Sequence, residues 1–232
     1  MPRTVGRVAR MGALVALVVA VSSGCIHESL RAGVLTPDTS HPDDDYDLGV
    51  DESGTLITAS APAANTGGNT RWAFWRVADQ ASTDQQSCAT WVNGDANSNQ
   101  QQGAALRIRK VGDVTRAITV TKNVWGPRST FNVHVMDSNG PVLTLLEQFP
   151  LSGFSPLPQY PWRMCARVIG DQVSFVVWPT DRPQPAWGDP AYGGTTTLPS
   201  GWDQPGTPGF YIGHLAPGES VGFTDISVQE LP

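Results

Sequence analysis

The segment WRMCARVIGDQVSFVVW, residues 162–178, decides the fold class of this chain. Gly170-Asp171 has the composition of a two-residue primed turn, and such a turn fixes the register of the strands that flank it. On one face this register pairs Val168 with Val173, Ala166 with Phe175, and Met164 with Val177. On the other it pairs Arg167 with Ser174, Cys165 with Val176, and Arg163 with Trp178. One wholly apolar face beside a mixed one predicts an antiparallel hairpin whose sheet packs against a core on one side.

Short strand patterns between turn signals recur on both sides of this hairpin. They cover residues 71–77, 104–110, 117–124, 130–135 and the final stretch 210–231. Alternation predicts that Leu106 and Ile108 share one face of their strand. The composition, with 24 Gly, 19 Pro and 16% charged residues, disfavours a helical bundle. We therefore predict an all-β fold for residues 51–232, an antiparallel β-sandwich of the jelly-roll type.

The N-terminus has the pattern of an export signal. Three arginines among the first ten residues precede an apolar run, residues 11–21, that is too short to cross a bilayer. This pattern predicts a signal peptide over residues 1–24. The run ends in VSSGC, residues 21–25, which resembles the lipobox of bacterial lipoproteins, although Ser22 stands where Leu is usual. The resemblance implies that Cys25 carries acyl chains such as palmitate and anchors the exported protein to the cell membrane. The alternative is an ordinary secretory signal with an incidental Cys.

Residues 25–50 follow with little apolar periodicity and an acidic cluster, HPDDDYD, at residues 41–47. The aspartates alternate as in a calcium-binding loop, but Gly49 stands one place too late and no Glu closes the loop. We therefore expect a disordered, solvated tether between the membrane and the domain.

The cysteine count fits an exported protein. Three cysteines are present, and lipidation of Cys25 leaves Cys88 and Cys165. Exported proteins usually join such a pair, so we predict a Cys88–Cys165 disulfide, worth about 3–5 kcal/mol in the chain-entropy model. No Cys-x-x-Cys motif offers a simple zinc or thiol site. Two Lys against thirteen Arg point to a GC-rich, actinobacterial genome.

A set of residues in the C-terminal two-thirds of the predicted domain carries a family resemblance. It comprises Trp162-Arg163, Val168-Ile169-Gly170, Val173, Phe175, Trp178-Pro179, Pro185-Ala186-Trp187, and the closing runs GFYIG (209–213) and FTDISV (223–228). This pattern resembles concanavalin A-like and laminin G-like jelly rolls. Comparable modules occur in bacterial surface proteins and phage tail proteins, and the fold hosts lectins, glycosidases and inert spacers alike.

The same resemblance implies a structural calcium ion between loops near the chain ends. Asp225, with Asp79 or Asp84, is the candidate ligand set. The alternative for Asp225 is a solvent-facing carboxylate that keeps an edge strand from aggregating.

No catalytic residues are predicted. The chain lacks the Glu-x-Asp-x-x-Glu carboxylates of jelly-roll glucanases, and no Gly-x-Ser-x-Gly elbow presents a nucleophile. A divergent glycosidase or lyase is thus the least favoured function. The formal net charge of −6 and the lack of a basic run also make the chain a poor binder of nucleic acid.

Aromatic residues are the best ligand-binding candidates, because sugar rings stack on exposed aromatic faces. The candidates are Trp187, Tyr192 and Trp202 for stacking, and Asp189, Asp203 and His134 for hydrogen bonds to hydroxyls. The alternative is that these Trp residues cover an edge of the sandwich. The sequence therefore favours a non-catalytic module that binds cell-wall or extracellular polysaccharide. The second hypothesis is a structural or protein-interaction surface lipoprotein, including a prophage-encoded one.

Overall fold

The computed structural model describes residues 33–38, 46–51, 56–62, 72–77, 81–139 and 143–232, with backbone alone at 33–38 and 72–77. The predicted signal peptide, Cys25 and Asp79 lie outside these residues. None of the helices in the described residues is long and apolar enough to cross a membrane.

The described chain forms two antiparallel seven-stranded sheets, which we call sheet I and sheet II. Sheet I has the order β1 (Gly33–Asp38), β4 (Trp72–Val77), β13 (Thr207–Gly213), β6 (Gln101–Val111), β7 (Val114–Lys122), β8 (Thr130–Asp137) and β9 (Leu143–Pro150). Sheet II has the order β12 (Gly193–Thr197), β11 (Gln172–Pro179), β10 (Trp162–Ile169), β5 (Gln85–Asn93), β14 (Ser220–Glu230), β3 (Ile57–Ser60) and β2 (Asp47–Val50). The prediction of an all-β antiparallel sandwich is confirmed.

The hairpin of β10 and β11 has the predicted register at every pair from Met164–Val177 to Val168–Val173. Gly170 adopts φ 57°, the left-handed conformation that a primed turn requires. The apolar face of the hairpin faces sheet I across a core rich in aromatic rings. Trp91 and Trp162 of sheet II lie with ring centroids 5.9 Å apart, and Phe131 of sheet I lies 5.9 Å from Phe175.

The predicted disulfide joins Cys88 of β5 to Cys165 of β10, which lie directly opposite each other. Both cysteines face away from the core, on the outer side of sheet II. There they form a second buried cluster with Val176 and Trp178. Trp187 and Tyr192 of the β11–β12 loop pack against this cluster. The expectation that the hairpin is covered on one side only is therefore wrong at this point, because the loop returns over the outer face.

Alternation in β6 is interrupted at Arg107. The pairing of β6 with β7 shifts register between Leu106 and Arg109, and Arg107 adopts φ 48°. Leu106 therefore belongs to the central core, whereas Ile108 packs in a small cluster on the outer face of sheet I. The predicted shared face for these two residues is wrong, because a β-bulge adds one residue to the strand.

The sandwich begins earlier than the predicted boundary at residue 51. β2 pairs with β3, and β1 pairs with β4 along its whole length. Tyr46 is buried, and its hydroxyl accepts a hydrogen bond from the backbone N–H of Leu215 at 3.1 Å. Within the predicted tether of residues 25–50, the structure thus describes two strands and one buried ring, and neither feature shows apolar periodicity in the sequence.

Candidate functional site

The β7–β8 turn, residues 123–129, presents an exposed tryptophan. Trp125 is 78% exposed, the highest value among the large hydrophobic residues that the structure describes. Its backbone N–H donates to the side-chain oxygen of Asn123 at 3.2 Å. His214 of the β13–β14 turn meets the indole edge-on, with centroids 5.6 Å apart and planes at 89°. The indole ring is thus largely exposed, while contacts with Asn123 and His214 hold the turn that carries it.

Two cations tie this turn to the neighbouring β5–β6 turn. The guanidinium of Arg128 donates to the carbonyl of Asn97 at 3.3 Å and to the side-chain oxygen of Asn99. The ammonium of Lys122 donates to the carbonyls of Ala96 at 2.8 Å and Ser98 at 3.2 Å. These hydrogen bonds stabilise the β7–β8 turn, which carries Trp125.

Lys122 is fully buried, although it lies at the end of β7 beside the turn. Burial, together with the nearby Arg128 guanidinium, lowers the pKa of its ammonium to about 8, against the opposing fields of Asp95 and Glu219. The Lys122 ammonium therefore binds carbonyl groups inside the protein and is not accessible to a ligand.

A row of side-chain amides leads from Trp125 across the outer face of sheet I. The oxygen of Asn123 accepts from the Asn132 amide at 3.4 Å, and the oxygen of Asn132 accepts from Gln148 at 3.1 Å. Asn123 and Asn132 are buried, whereas Gln148 is exposed at the rim. We call Asn123, Asn132 and Gln148 the amide row. Amides both donate and accept hydrogen bonds, as sugar hydroxyls do.

His134 follows Asn132 by two residues on the same face of β8, as the sequence predicts. It is half-buried, and burial lowers its pKa to about 4. The imidazole is therefore neutral at physiological pH. Its Nδ1 atom is buried and has no hydrogen-bond partner in the described part of the chain.

The structure brings together Trp187, Asp189 and Tyr192, in the loop over the disulfide. The Trp187 ring lies under the guanidinium of Arg167, with the guanidinium carbon 4.1 Å from the ring centroid. Asp189 accepts the backbone N–H of Ala191 at 2.9 Å, and the Tyr192 hydroxyl accepts from the guanidinium of Arg182 at 2.9 Å. All three side chains thus have partners within the protein.

Trp202 and Asp203 lie elsewhere, at a depression of about 340 Å³ shared with Asp171 and Arg107. The guanidinium carbon of Arg116 lies 4.0 Å from the Trp202 ring centroid. The Trp202 carbonyl accepts a hydrogen bond from Arg107. The six predicted residues therefore occupy three separate places, and His134 alone of them adjoins the amide row.

Sequence reasoning missed Trp125 and the amide row. One signal was available: Trp125 stands in an Asn-Val-Trp-Gly-Pro stretch between two predicted strands, where a turn must expose its tip.

Of the residues suggested for calcium, Asp225 and Asp84 are described, whereas Asp79 lies outside the described residues. The Asp225 carbonyl accepts the guanidinium of Arg163 at 3.0 Å, and Asp84 pairs with Arg107 at 3.7 Å. The two aspartates also lie far apart along β5. Asp84 adjoins the start of that strand, where Gln85 pairs with Glu230, whereas Asp225 lies near Thr90, toward the other end. Among the described residues, no three His, Cys, Asp or Glu side chains cluster as a metal site.

Comparisons with known proteins bear on the fold. No protein-family model and no curated protein matches the chain. Among solved structures, the CBM2 module of the evolved Dit from Lactobacillus casei BL23 phage J-1 is similar, with TM-score 0.52 and 12% identity over 90% of this chain and 94% of that one. The legume lectin-like domain from Entamoeba histolytica has TM-score 0.54 and 7% identity, covering 88% and 92%. The carbohydrate-binding module CBM66 from Bacillus subtilis has TM-score 0.50 and 8% identity, covering 84% and 95%. At these identities the likeness concerns the fold alone, and the chain has a lectin-like β-sandwich.

Proposed function

We propose that this protein is a non-catalytic carbohydrate-binding module that takes polysaccharide at Trp125 and the amide row. The observation that carries the proposal is an indole ring, 78% exposed, fixed beside side-chain amides that hydrogen bond one another across the sheet. The apolar C–H face of a sugar ring stacks on such an indole, and a few well-placed polar groups then give orientation and specificity.

Two further facts support this proposal. Solved structures of similar fold include carbohydrate-binding modules from a phage Dit protein and from Bacillus subtilis. Trp187 and Trp202, the stacking residues suggested by the sequence, each lie against an arginine of the protein. Their rings are therefore poorer platforms than Trp125.

We also propose that the domain works outside the cell, anchored in the membrane by acyl chains on Cys25. The arginine-rich start, the apolar run and the lipobox-like VSSGC support this placement. The Cys88–Cys165 disulfide agrees with it, since such bonds persist in oxidising compartments. Cell-wall or extracellular polysaccharide is then the ligand within reach.

Binding of the full-length protein, purified in detergent, to immobilised polysaccharides tests the proposal. Trp125→Ala should weaken binding about tenfold or more, as for an aromatic residue at the centre of an interface. Its unfolding transition should be unchanged, because the side chain is exposed. Trp202→Ala is the matched control and should bind like the wild type. Normal binding by Trp125→Ala would refute the site. A wild-type protein that binds none of the polysaccharides would favour the alternative, a protein-interaction or structural lipoprotein.

A further inference from the structure

Arg128 leaves one edge of its guanidinium group without a partner in the described protein. Nε donates to the carbonyl of Asn97, and Nη2 donates to the side-chain oxygen of Asn99. These two nitrogens share one edge of the planar group, so Nη1 and the second N–H of Nη2 form the other, which we call the open edge. Nη1 has no hydrogen-bond partner among the described residues, and it is not one of the unpartnered atoms that are buried. A ligand can therefore reach the open edge.

The positive charge of Arg128 also lacks a carboxylate partner. Arg128 forms no ion pair with any residue that the structure describes. The acidic side chains of the adjoining turns, Asp95 and Glu219, each accept a backbone N–H of their own turn instead, at 2.8 Å and 2.9 Å. A guanidinium binds a carboxylate or a phosphate through two parallel hydrogen bonds, which are about twice as strong as bonds between neutral groups. The open edge therefore suits an acidic group better than a neutral hydroxyl.

The strand order places Arg128 beside Trp125. Both residues belong to the β7–β8 turn, and their separation of three positions keeps their Cα atoms within about 11 Å. In sheet I, β6 lies between β7 and β13, and it begins directly after the β5–β6 turn. Trp125 reaches across to His214, which follows β13. Arg128 reaches the two asparagines of the β5–β6 turn, which precede β6. The indole and the guanidinium therefore lean the same way across this end of the sheet.

We infer that Arg128 determines specificity at the Trp125 site, by binding an acidic group of the glycan whose ring stacks on the indole. The inference rests on the proposed function and names its ligand class, a glycan that carries a carboxylate or a phosphate. The acid binds the open edge, and the exposed Asn99 amide donates to a neighbouring hydroxyl. A formal net charge of −6 disfavours a densely charged polyanion, so we expect acidic groups spaced along a mainly neutral chain.

Two variants separate ligand binding from support of the turn. Arg128→Gln removes the charge, whereas Arg128→Lys keeps the charge and removes the planar fork. Lys110→Gln, at an exposed position at the other end of β6, changes the net charge equally and is the control. Urea unfolding measures the stability of each variant. The affinity for neutral oligosaccharides reports whether the Trp125 site is intact.

The experiment is titration calorimetry of the full-length protein, in detergent, with matched sets of oligosaccharides. Each set has a gluco-, galacto- or manno-backbone of two to six units and carries one uronate, the methyl ester of that uronate, or one 6-phosphate. The wild type should bind the acid at least about tenfold more tightly than the matching ester, as for hydrogen bonds to a charged group. Arg128→Gln should abolish this preference and leave the affinity for the ester unchanged, and Arg128→Lys should retain part of it. Lys110→Gln should behave as the wild type, and Trp125→Ala should weaken the binding of acid and ester alike.

The outcomes distinguish the two proposals. A preference for the uronate or for the phosphate that Arg128→Gln removes supports the inference and identifies the acid. If the wild type binds both acids no better than the ester while Trp125→Ala loses binding, the inference is refuted and the proposed function stands. A preference that survives in Arg128→Gln would also overturn the inference. So would an equal loss of acid and ester affinity in that variant, because Arg128 would then only hold the turn. If no oligosaccharide binds the wild type, both proposals fall.

Discussion

Replacing Lys122 with Met should change how the stability of the domain depends on pH. Lys122 is fully buried, and its pKa falls to about 8 from the ordinary 10.5. Between these two values the unfolded chain binds a proton that the folded protein does not. Stability therefore rises with pH across this window, since unfolding then takes up a proton. The depressed pKa of a buried base thus lowers the free energy of unfolding at neutral pH, and this penalty becomes smaller under alkaline conditions.

The size of the effect follows from the same two values. The penalty at pH 7.5 is about 3 kcal/mol, because each pKa unit corresponds to about 1.4 kcal/mol. At pH 9.5 the unfolded chain has itself lost part of its charge, and about 1.4 kcal/mol remains. Between pH 7.5 and 9.5, the unfolding free energy of the wild type should therefore rise by about 2 kcal/mol relative to that of Lys122→Met. The comparison ends at pH 9.5 because of two tyrosines. Burial raises the pKa values of Tyr160 and Tyr211 in the folded protein, so above pH 10 these tyrosines ionise in the unfolded chain first and stability falls.

Urea unfolding followed by tryptophan fluorescence at pH 7.5, 8.5 and 9.5 measures the effect in both proteins. Titrations common to wild type and variant cancel in the difference between their unfolding free energies. A difference that stays constant with pH, or that shrinks as pH rises, would refute the assignment of a depressed pKa to Lys122. Lys110→Met, at an exposed position, should show no such pH dependence.

Two further predictions concern the frame of the domain. Removing the disulfide in Cys88→Ser/Cys165→Ser should lower the unfolding free energy by about 4 kcal/mol in the chain-entropy model, since the bond spans 77 residues; a loss below about 1 kcal/mol in urea unfolding would contradict that model here. Arg107→Met should cost about 3 kcal/mol or more, because the buried guanidinium donates to the carbonyls of Thr83, Gly170 and Trp202. Lys110→Met, near it on β6, should change the same unfolding transition by less than about 0.5 kcal/mol, and equal effects of the two variants would count against the role of Arg107.

Features that depend on local sequence were predictable. The register of β10 and β11 follows from one turn, Gly170-Asp171, and from alternation on either side of it. The faces of β8 follow likewise: Phe131 and Val133 enter the core while His134 faces outward. The disulfide needed only the count of cysteines in a chain whose N-terminal pattern predicts export.

Features that depend on distant partners were not predictable. The sequence shows Trp202 in a Gly- and Pro-rich segment, but not that Arg116, far away along the chain, lies over its ring. The bulge that separates Leu106 from Ile108 is set by contacts of Arg107 with loops from elsewhere in the chain. The buried ring of Tyr46 carries no periodic pattern that would mark it within an acidic stretch.

The position of the disulfide has a kinetic consequence. Cys88 and Cys165 are each 3% exposed beneath Trp178, Trp187 and Tyr192. A thiolate must reach a sulfur atom to exchange with it, so we expect that the loop of residues 180–192 has to move away before reduction begins. The rate at which a small reductant cleaves this bond in the native protein therefore counts the openings of that loop. The loop therefore protects the disulfide from reductants, and the rate of reduction reports how often the loop opens.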